Sequence, residues 1–311
     1  MAVNLKGKSL LTLKDFTKEE IEYLLDLASD LKQKKRMGII GQQLKGKNVA
    51  LIFEKPSTRT RCAFTVACVD EGGHPEYLGK NDIQLGYKES VEDTARVLGR
   101  LFDGIEFRGF SQDHVNKLAK YSGVPVFNGL TDDYHPTQIL ADLLTIKEQF
   151  GKLKGLKFTY IGDGRNNMAN SLMIGCSKIG LDFTLVAPKE LWPNNDLINE
   201  CEGFSLDSGS KIVITEDIDK VKGSHVIYTD VWCSMGEEEQ AADRISLLKP
   251  YQVNKELVLK TEKDDTICMH CLPAVKGNEI TEDVFEKHSK VIFDEAENRM
   301  HTIKAVMVAM I

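Results

Sequence analysis

The chain has 311 residues, of which 42% are hydrophobic and 28% charged, so it is long enough for two domains and too apolar for a disordered protein. Forty basic and 47 acidic residues give a formal net charge of −7, which argues against a nucleic-acid surface or an anionic membrane as the main partner. A small anionic ligand is not excluded, because one basic pocket can lie inside an acidic protein.

The cysteines and the two ends of the chain indicate the compartment. Seven cysteines, odd in number and irregularly spaced, predict reduced thiols without a disulfide framework. Residues 1–8 lack the apolar core of a signal peptide, and the final aliphatic run at 305–311 is too short to cross a bilayer. We therefore expect a cytoplasmic protein with no membrane partner.

The first half of the chain alternates helix-like and strand-like segments. An amphipathic helix at 15–35 opens with a capping box from Thr17 to Glu20. A short apolar run at 49–53 predicts a buried strand, followed by a polar turn and a helix-like run that Gly72 and Gly73 close. Further strands are predicted at 76–78, 104–108 and 124–127, and further helices at 91–102, 114–121 and from Pro136 onwards. This order is typical of a parallel sheet covered by helices.

A basic, glycine-punctuated stretch at 150–157 separates a second series of the same kind, so we place a domain boundary there and predict domains at 1–150 and 151–311. Strands are predicted at 157–161, 183–187, 211–214, 225–229 and 266–270, with a helix-rich stretch between the last two. Helices are predicted at 166–178 and, as a closing helix, about 294–311. From its pattern alone, the closing helix could pack on either domain.

Loops that follow strands are the expected ligand sites of open α/β sheets. The first is the stretch Ser57-Thr58-Arg59-Thr60-Arg61, which opens a helix, so backbone N–H groups, hydroxyls and two guanidinium groups converge at the positive end of the helix dipole. A helix terminus contributes about 0.3–1 kcal/mol, whereas a close ion pair contributes about 4 kcal/mol before desolvation, so the arginines dominate. We interpret this loop as an anion site; a capped helix with solvated arginines is the alternative.

Two further loops carry candidate site residues, and those of the first, His135 and Gln138, could hydrogen-bond a carbonyl or an amide group. Pro136 suits the first position of a helix and places His135 and Gln138 on one face, although a histidine before a helix is as often a cap as a ligand. His270 and Cys271 end a predicted strand and form a candidate polar centre.

The pair Cys268 and Cys271 also forms a C-x-x-C pattern, which could indicate a metal or redox site. A second ligand pair is missing, however, and alternation along a strand would direct the two sulfur atoms to opposite faces. We therefore predict a site without a metal.

Two more loops complete the set. Asp230 follows a predicted strand and could hold a substrate ammonium group or simply end the strand. The stretch at 162–167 invites a dinucleotide-binding interpretation, but Asn167 replaces the third glycine and the next strand lacks an acidic residue for a ribose. An oxidoreductase is therefore disfavoured, and no cofactor is expected.

Taken together, these loops resemble the carbamoyltransferases, and most closely the ornithine branch of that family. Ser-Thr-Arg-Thr-Arg at 57–61 and His-Pro-Thr-Gln at 135–138 are shared by the wider family and specify carbamoyl phosphate. Ser-Met-Gly at 234–236 and His-Cys-Leu-Pro at 270–273 are similar to the ornithine branch. The resemblance spans the chain from Leu5 and implies two tandem α/β domains, each a mostly parallel sheet covered by helices, with the closing helix packing back on the first.

The resemblance implies a role for each matched residue. Carbamoyl phosphate is expected to contact Ser57, Thr58, Arg59, Thr60, Gln84, Arg108, His135, Pro136, Thr137, Gln138, Cys271, Leu272 and Arg299. Ornithine is expected to contact Asn167, Asp230, Ser234 and Met235. The catalytic groups implied are Arg59, Arg108, His135 and Cys271. Gln84 would enter the site of a neighbouring subunit in a homotrimer or a multiple of trimers, although Tyr87 nearby departs from the histidine that is frequent in the family.

The activity implied is the reversible transfer of a carbamoyl group from carbamoyl phosphate to the side-chain amine of L-ornithine, giving L-citrulline and phosphate, in arginine biosynthesis or arginine deiminase catabolism. We hypothesise that Cys271 and Asp230 orient and help deprotonate that amine. Transfer to putrescine, acetylornithine or aspartate is the alternative within this class. A non-catalytic sensor of an anionic metabolite is the alternative outside it.

Overall fold

The computed structural model describes residues 3–83, 85–86, 88–233 and 241–311. The chain divides into two compact units: the first extends to Leu144 and also includes Glu297–Ile311, and the second comprises Thr145–Ala296. Four residues with a predicted ligand or subunit contact, or next to one, lie outside the described residues: Gln84, Tyr87, Ser234 and Met235.

The first unit contains a parallel sheet in the order β2-β1-β3-β4. Its strands are β1 (Asn48–Phe53), β2 (His74–Gly79), β3 (Gly104–Arg108) and β4 (Val126–Leu130). The helices that follow one another along this part of the chain are α1 (Lys18–Arg36), α2 (Arg59–Asp70), α3 (Val91–Leu101), α4 (Gln112–Ser122) and α5 (Pro136–Phe150). Side chains from β1, β3 and β4 form a buried cluster with those of α3 and α4, which explains why these strands are apolar runs without alternation.

The second unit contains a parallel sheet in the order β7-β6-β5-β8-β9. Its strands are β5 (Lys157–Ile161), β6 (Asp182–Val186), β7 (Ile212–Thr215), β8 (Val226–Thr229) and β9 (Ile267–His270). Its helices are α6 (Asn167–Ile179), α7 (Asn195–Ser208), α8 (Ala241–Leu248), α9 (Lys255–Leu259) and α10 (Glu282–Met310), the last of which ends in the first unit. The chain turns from one side of β5 to the other after β7, so the loops after β5 and β8 lie at a topological switch point, where such sheets bind ligands.

The predicted two-sheet α/β class is confirmed, and so are the capping box of α1 and the return of the closing helix to the first unit. In the capping box, Thr17 Oγ1 accepts from the Glu20 N–H at 3.2 Å and Glu20 Oε2 accepts from the Thr17 N–H at 2.9 Å. Two buried lysines anchor the end of α10: Lys32 donates to Asn298 at 2.7 Å, and Lys304 donates to Asp70 at 2.7 Å.

Two helices differ from the sequence prediction. The closing helix begins at Glu282 and not near 294, because Phe285 and Ile292 pack into the apolar core of the second unit and extend the helix in that direction. Helix α7 was not predicted, since two serines share its buried face with Leu197 and Cys201 and weaken the apolar periodicity. Within the described ranges, no helix combines the length and apolar character needed to cross a membrane.

Candidate active site

The hydroxyl of Thr60 joins two buried arginines of the first unit. Its Oγ1 accepts a hydrogen bond from Arg108 at 3.1 Å and another from Arg299 at 2.7 Å. Thr60 lies in the first turn of α2, Arg108 ends β3, and Arg299 lies on α10, 239 positions further along the chain than Thr60. Arg108 and Arg299 are only 7% and 3% exposed, so their positive charge is concentrated in a place that water screens poorly.

The loop between β1 and α2 leaves donors available beside these arginines. Ser57 Oγ accepts from the Thr60 N–H at 3.2 Å, whereas Thr58, the N-cap residue, makes no side-chain cap hydrogen bond. The buried Nε of Arg59 has no hydrogen-bond partner among the described residues. A buried guanidinium donor without a partner at a helix N-terminus fits an anion better than it fits the solvated arginines of the alternative interpretation.

His135 lies at the end of the loop between β4 and α5, directly before Pro136, the first residue of that helix. The imidazole is 4% exposed, with Nδ1 at 3.4 Å from Thr137 Oγ1. Burial and the positive charges of Arg299, Arg108 and Arg59 hold the pKa of His135 well below its ordinary value. The ring is therefore neutral at pH 7, and it can donate or accept a hydrogen bond without carrying charge.

Gln138 follows one turn later on the same helix and is also buried. Its Nε2 donates to Asp142 Oδ1 at 2.8 Å, which fixes the amide plane of the side chain. The expected group of hydrogen-bonding residues at the start of α5 is thus held in place from within the helix.

In the second unit, Asp230 and Cys271 meet because β8 and β9 run parallel and in register. Thr229 pairs with His270, so the next residue of each strand is adjacent, and Cys271 Sγ donates to Asp230 Oδ1 at 3.0 Å. The Val231 N–H donates to the same oxygen at 2.8 Å. Burial raises the pKa of Asp230, although His270 and the hydrogen bonds from Cys271 and Val231 act in the opposite direction.

His270 fixes the loop that contains Cys271. The Leu272 N–H donates to His270 Nδ1 at 2.9 Å, so Nε2 bears the ring proton and donates to Glu279 Oε1 at 3.2 Å. Glu279 also accepts from the Val275 N–H at 2.5 Å. Leu272 has φ 60°, a left-handed conformation that a leucine adopts only when its surroundings hold it there.

Asp230, His270 and Cys271 have donor atoms within 4.8 Å of one another, which is close enough to consider a metal ion. The geometry of His270 does not fit one, because Nδ1 accepts a backbone hydrogen bond and Nε2 donates to Glu279. Cys268, the other half of the C-x-x-C pattern, is fully buried in the apolar core, and burial raises its pKa to about 12. The cluster is better described as a hydrogen-bonded polar centre.

Asn167 is the first residue of α6, at the switch point of the second sheet. The residue before it, Asn166, caps the helix by accepting from the Ala169 N–H at 2.8 Å. Asp163, in the stretch that invited the dinucleotide interpretation, pairs with Arg244 inside the unit. The side chains of Asp163 and Asn166 are therefore engaged in contacts within the protein.

Four buried acidic residues near these centres were missed by the sequence analysis: Glu106, Asp142, Glu279 and Glu295. Each lies inside a helix or strand or in a loop without a recognisable motif, and Glu295 accepts hydrogen bonds from the His270 N–H and from the Tyr228 hydroxyl, both at 3.1 Å. No motif in the sequence marks them: the partners of Glu295 are distant along the chain, and those of Asp142 and Glu279, although four to nine positions away, form no recognisable pattern.

Comparison with known proteins matches both units. A family described as "Aspartate/ornithine carbamoyltransferase, carbamoyl-P binding domain" matches residues 8–148, and its "Asp/Orn binding domain" matches residues 154–310. A catabolic ornithine carbamoyltransferase of Bacillus licheniformis is 61% identical, over 99% of this chain and 97% of that relative. An ornithine carbamoyltransferase of Caldanaerobacter subterraneus is 59% identical over 99% of each chain.

Solved structures agree with this similarity. The ornithine carbamoyltransferase of Pyrococcus furiosus is 46% identical, with a TM-score of 0.96 over 99% of this chain and 98% of that one. The anabolic enzyme of Campylobacter jejuni is 39% identical, with a TM-score of 0.91 over 96% and 97% of the two chains.

Replacing Thr60 with valine tests the anion site. The change keeps the volume of the side chain but removes the acceptor of Arg108 and Arg299, and losing a hydrogen bond to a charged group costs about 1.5–3 kcal/mol. We expect sulfate to bind about 10-fold more weakly or worse, measured by isothermal titration calorimetry. Thr60→Ser, which keeps the hydroxyl, is the control; wild-type affinity in Thr60→Val would contradict the assignment.

Asp230→Asn tests the cost of the buried carboxylate. Because burial raises the pKa of Asp230 in the folded chain, its ionisation opposes folding, and this cost is present above the ordinary carboxyl range near about pH 4 and disappears below it. Asparagine can still accept hydrogen bonds from Cys271 and Val231. We expect the variant to melt at a higher temperature than the wild type at pH 7, with the difference shrinking as the pH falls towards 4.

Asp103→Asn is the matched control for this measurement. Burial acts to raise the pKa of Asp103, but hydrogen bonds from the Asn48 N–H and Lys47 lower it overall. Its carboxylate therefore stabilises the fold at neutral pH, and the amide should lower the melting temperature. A lower melting temperature for Asp230→Asn at every pH would show that its carboxylate is not strained by burial.

Proposed function

The chain belongs to the aspartate/ornithine carbamoyltransferase family, and we propose that it transfers the carbamoyl group of carbamoyl phosphate to the side-chain amine of L-ornithine, giving L-citrulline and phosphate. The convergence of Arg108 and Arg299 on Thr60 is the observation that supports this function best, because Thr60 and Arg108 lie in the part of the chain that matches the carbamoyl-phosphate-binding domain. The names of relatives about 60% identical support ornithine as the acceptor.

The first unit binds the donor. Ser57, Thr58, Arg59 and Thr60, together with Arg108 and Arg299, are the proposed ligands of the phosphate. Phosphate leaves as an anion when the carbamoyl carbon is attacked, so fixed guanidinium groups stabilise the charge that develops on the leaving group. Because these groups are already held by Thr60 and by burial, little reorganisation is needed when the reaction occurs.

His135 and Gln138 are the proposed contacts of the carbamoyl group. Negative charge develops on the carbamoyl oxygen as the amine attacks, and an N–H donor aimed at that oxygen lowers the barrier. A neutral imidazole can supply this donor while remaining compatible with the three neighbouring arginines, which disfavour its protonated form. Cys271 and Leu272 remain proposed backbone contacts of the same group.

The second unit binds the acceptor and prepares it for attack. If the side-chain amine of ornithine titrates like that of lysine, near about 10.4, roughly one molecule in 2,500 is neutral at pH 7, a cost of about 4.6 kcal/mol. Asp230 offsets this cost by accepting the proton, since burial makes its carboxylate a stronger base than one in water. The Cys271 thiol orients that carboxylate, and Asn167, Ser234 and Met235 are the proposed contacts of the α-amino and α-carboxylate groups.

We propose a homotrimer, or a multiple of trimers, to which Gln84 contributes. Exposed apolar side chains on α2 and α3, among them Val66, Val69, Val97 and Leu101, provide surface for such an assembly.

We also propose a cytoplasmic setting, because Cys271 must remain a reduced thiol to donate to Asp230.

A colour assay for ureido products tests the function. The purified chain is incubated with carbamoyl phosphate and, separately, with ornithine, putrescine, acetylornithine or aspartate. We expect product with ornithine at a rate at least about 100-fold above the others, because the contacts proposed for the α-amino and α-carboxylate groups and for the side-chain amine select for both ends of ornithine. Product with another acceptor would replace ornithine, and no product with any of them would favour a sensor.

Asp230→Asn should lower kcat with ornithine by about 100-fold or more, because a positioned base contributes about 10²–10⁴-fold to the rate. The KM for carbamoyl phosphate should change much less, since the residue lies in the second unit. Cys271→Ser keeps a donor to Asp230 and should retain more activity. Wild-type kcat in Asp230→Asn at saturating substrates would exclude Asp230 as the base.

A further inference from the structure

Glu106 is a fully buried carboxyl group that the mechanism above does not use. It lies on β3, two positions before Arg108, and is 0% exposed. Neither Oε1 nor Oε2 has a hydrogen-bond partner among the described residues. A carboxyl group in such a position is costly whenever it is ionised, so its presence requires an explanation.

The backbone directs this carboxyl group towards the anion site. Side chains two apart on a strand share a face, so Glu106 lies on the same face of the sheet as Arg108. The register between β3 and β4 shifts after Phe107: Phe107 pairs with Asn128 and Arg108 with Leu130, so Gly129 is an extra residue between these two pairs. A Cβ at Gly129 would overlap Oε1 of Glu106 and would lie 3.1 Å from Cγ2 of Thr60, the residue that holds both arginines.

Two positive charges act on Glu106. Burial raises the pKa of Glu106 well above its ordinary value, while Arg108 on its own strand and Arg299 on α10 act to lower it. The neighbouring residues on β4 and α2, Gly129 and Thr60, are uncharged. His135 is close to the same arginines and is neutral at pH 7, because its pKa is held well below its ordinary value.

We propose that Glu106 takes up a proton from solvent when the phosphate group of the donor binds to the arginines, and returns it to solvent when phosphate leaves. At a pH above its raised pKa, Glu106 is ionised before the donor binds, and Arg108 and Arg299 compensate part of its charge. A bound dianion neutralises these arginines and places further negative charge beside Glu106, so the ionised form loses its compensation in a place that water does not reach. Protonation of the carboxylate restores the balance of buried charge.

The proposal makes anion binding depend on pH. It rests on the proposed function for the identity of the donor, but the arginine site itself can be examined with sulfate, a divalent oxyanion that does not titrate in this range. Because linkage is reciprocal, an anion that promotes proton uptake binds more tightly when protons are abundant. If one proton is taken up for each anion, the dissociation constant rises by up to about tenfold for each unit of pH.

Isothermal titration calorimetry of the whole chain with sulfate, in two buffers with different heats of ionisation, measures this uptake directly. Between pH 6.5 and 8.5 we expect up to one proton per bound sulfate in the wild type and none in Glu106→Gln, whose affinity should be independent of pH. Asp103→Asn removes a carboxylate that precedes the same strand and is paired with Lys47, and it should keep the wild-type proton uptake.

Each outcome tests either the role of Glu106 or the anion site itself. Sulfate binding without proton uptake in the wild type overturns the role of Glu106 and leaves the anion site intact, as does equal uptake in Glu106→Gln. Absence of sulfate binding in the folded wild type contradicts the anion site itself, and with it both this inference and the proposed function. If Glu106→Gln does not fold, the two-buffer measurement on the wild type still gives the proton count.

Discussion

Two buried guanidinium groups that share one hydroxyl are the constraint on which the rest of the first unit depends. Arg108 and Arg299 would repel each other in a medium of low dielectric constant, and Thr60 Oγ1 holds them together by accepting a hydrogen bond from each. An anion or a buried negative group would lower the cost of placing these two charges side by side. The same positive field keeps His135 neutral and acts on the carboxyl group of Glu106.

The second unit has the opposite polarity. Its polar centre is a buried carboxylate, Asp230, held by the thiol of Cys271 and by a backbone N–H. This difference in polarity fits the proposal that one unit binds a phosphate group and the other an ammonium group, as a carbamoyl transfer between an anionic donor and a cationic acceptor requires. In both units the chemistry is located after the carboxyl ends of parallel strands, where loops can present side chains without disturbing the sheet.

Hydrogen bonds that do not touch a ligand give both centres their precision. His270 fixes the loop of Cys271 by accepting from the Leu272 N–H, and its other nitrogen donates to Glu279. Lys32 of α1 binds Asn298 of α10, and Lys304 of α10 binds Asp70 of α2, so both contacts fix the helix that carries Arg299. Rigid support of this kind would let the proposed catalytic groups act without reorganising during the reaction.

The sequence by itself determined the alternation of strands and helices, the loops at 57–61, 135–138 and 270–273, and the capping box of α1, because each depends on residues within a few positions of one another. It could not determine that Thr60 binds Arg299, that β8 and β9 bring Asp230 against Cys271, or that Glu106 lies over Gly129. It also missed α7 and the true start of α10, whose buried faces are defined by packing and not by a regular apolar period. Only the tertiary structure decided these contacts, since strand register and helix docking join residues that are far apart in the chain and carry no signal in one another's local sequence.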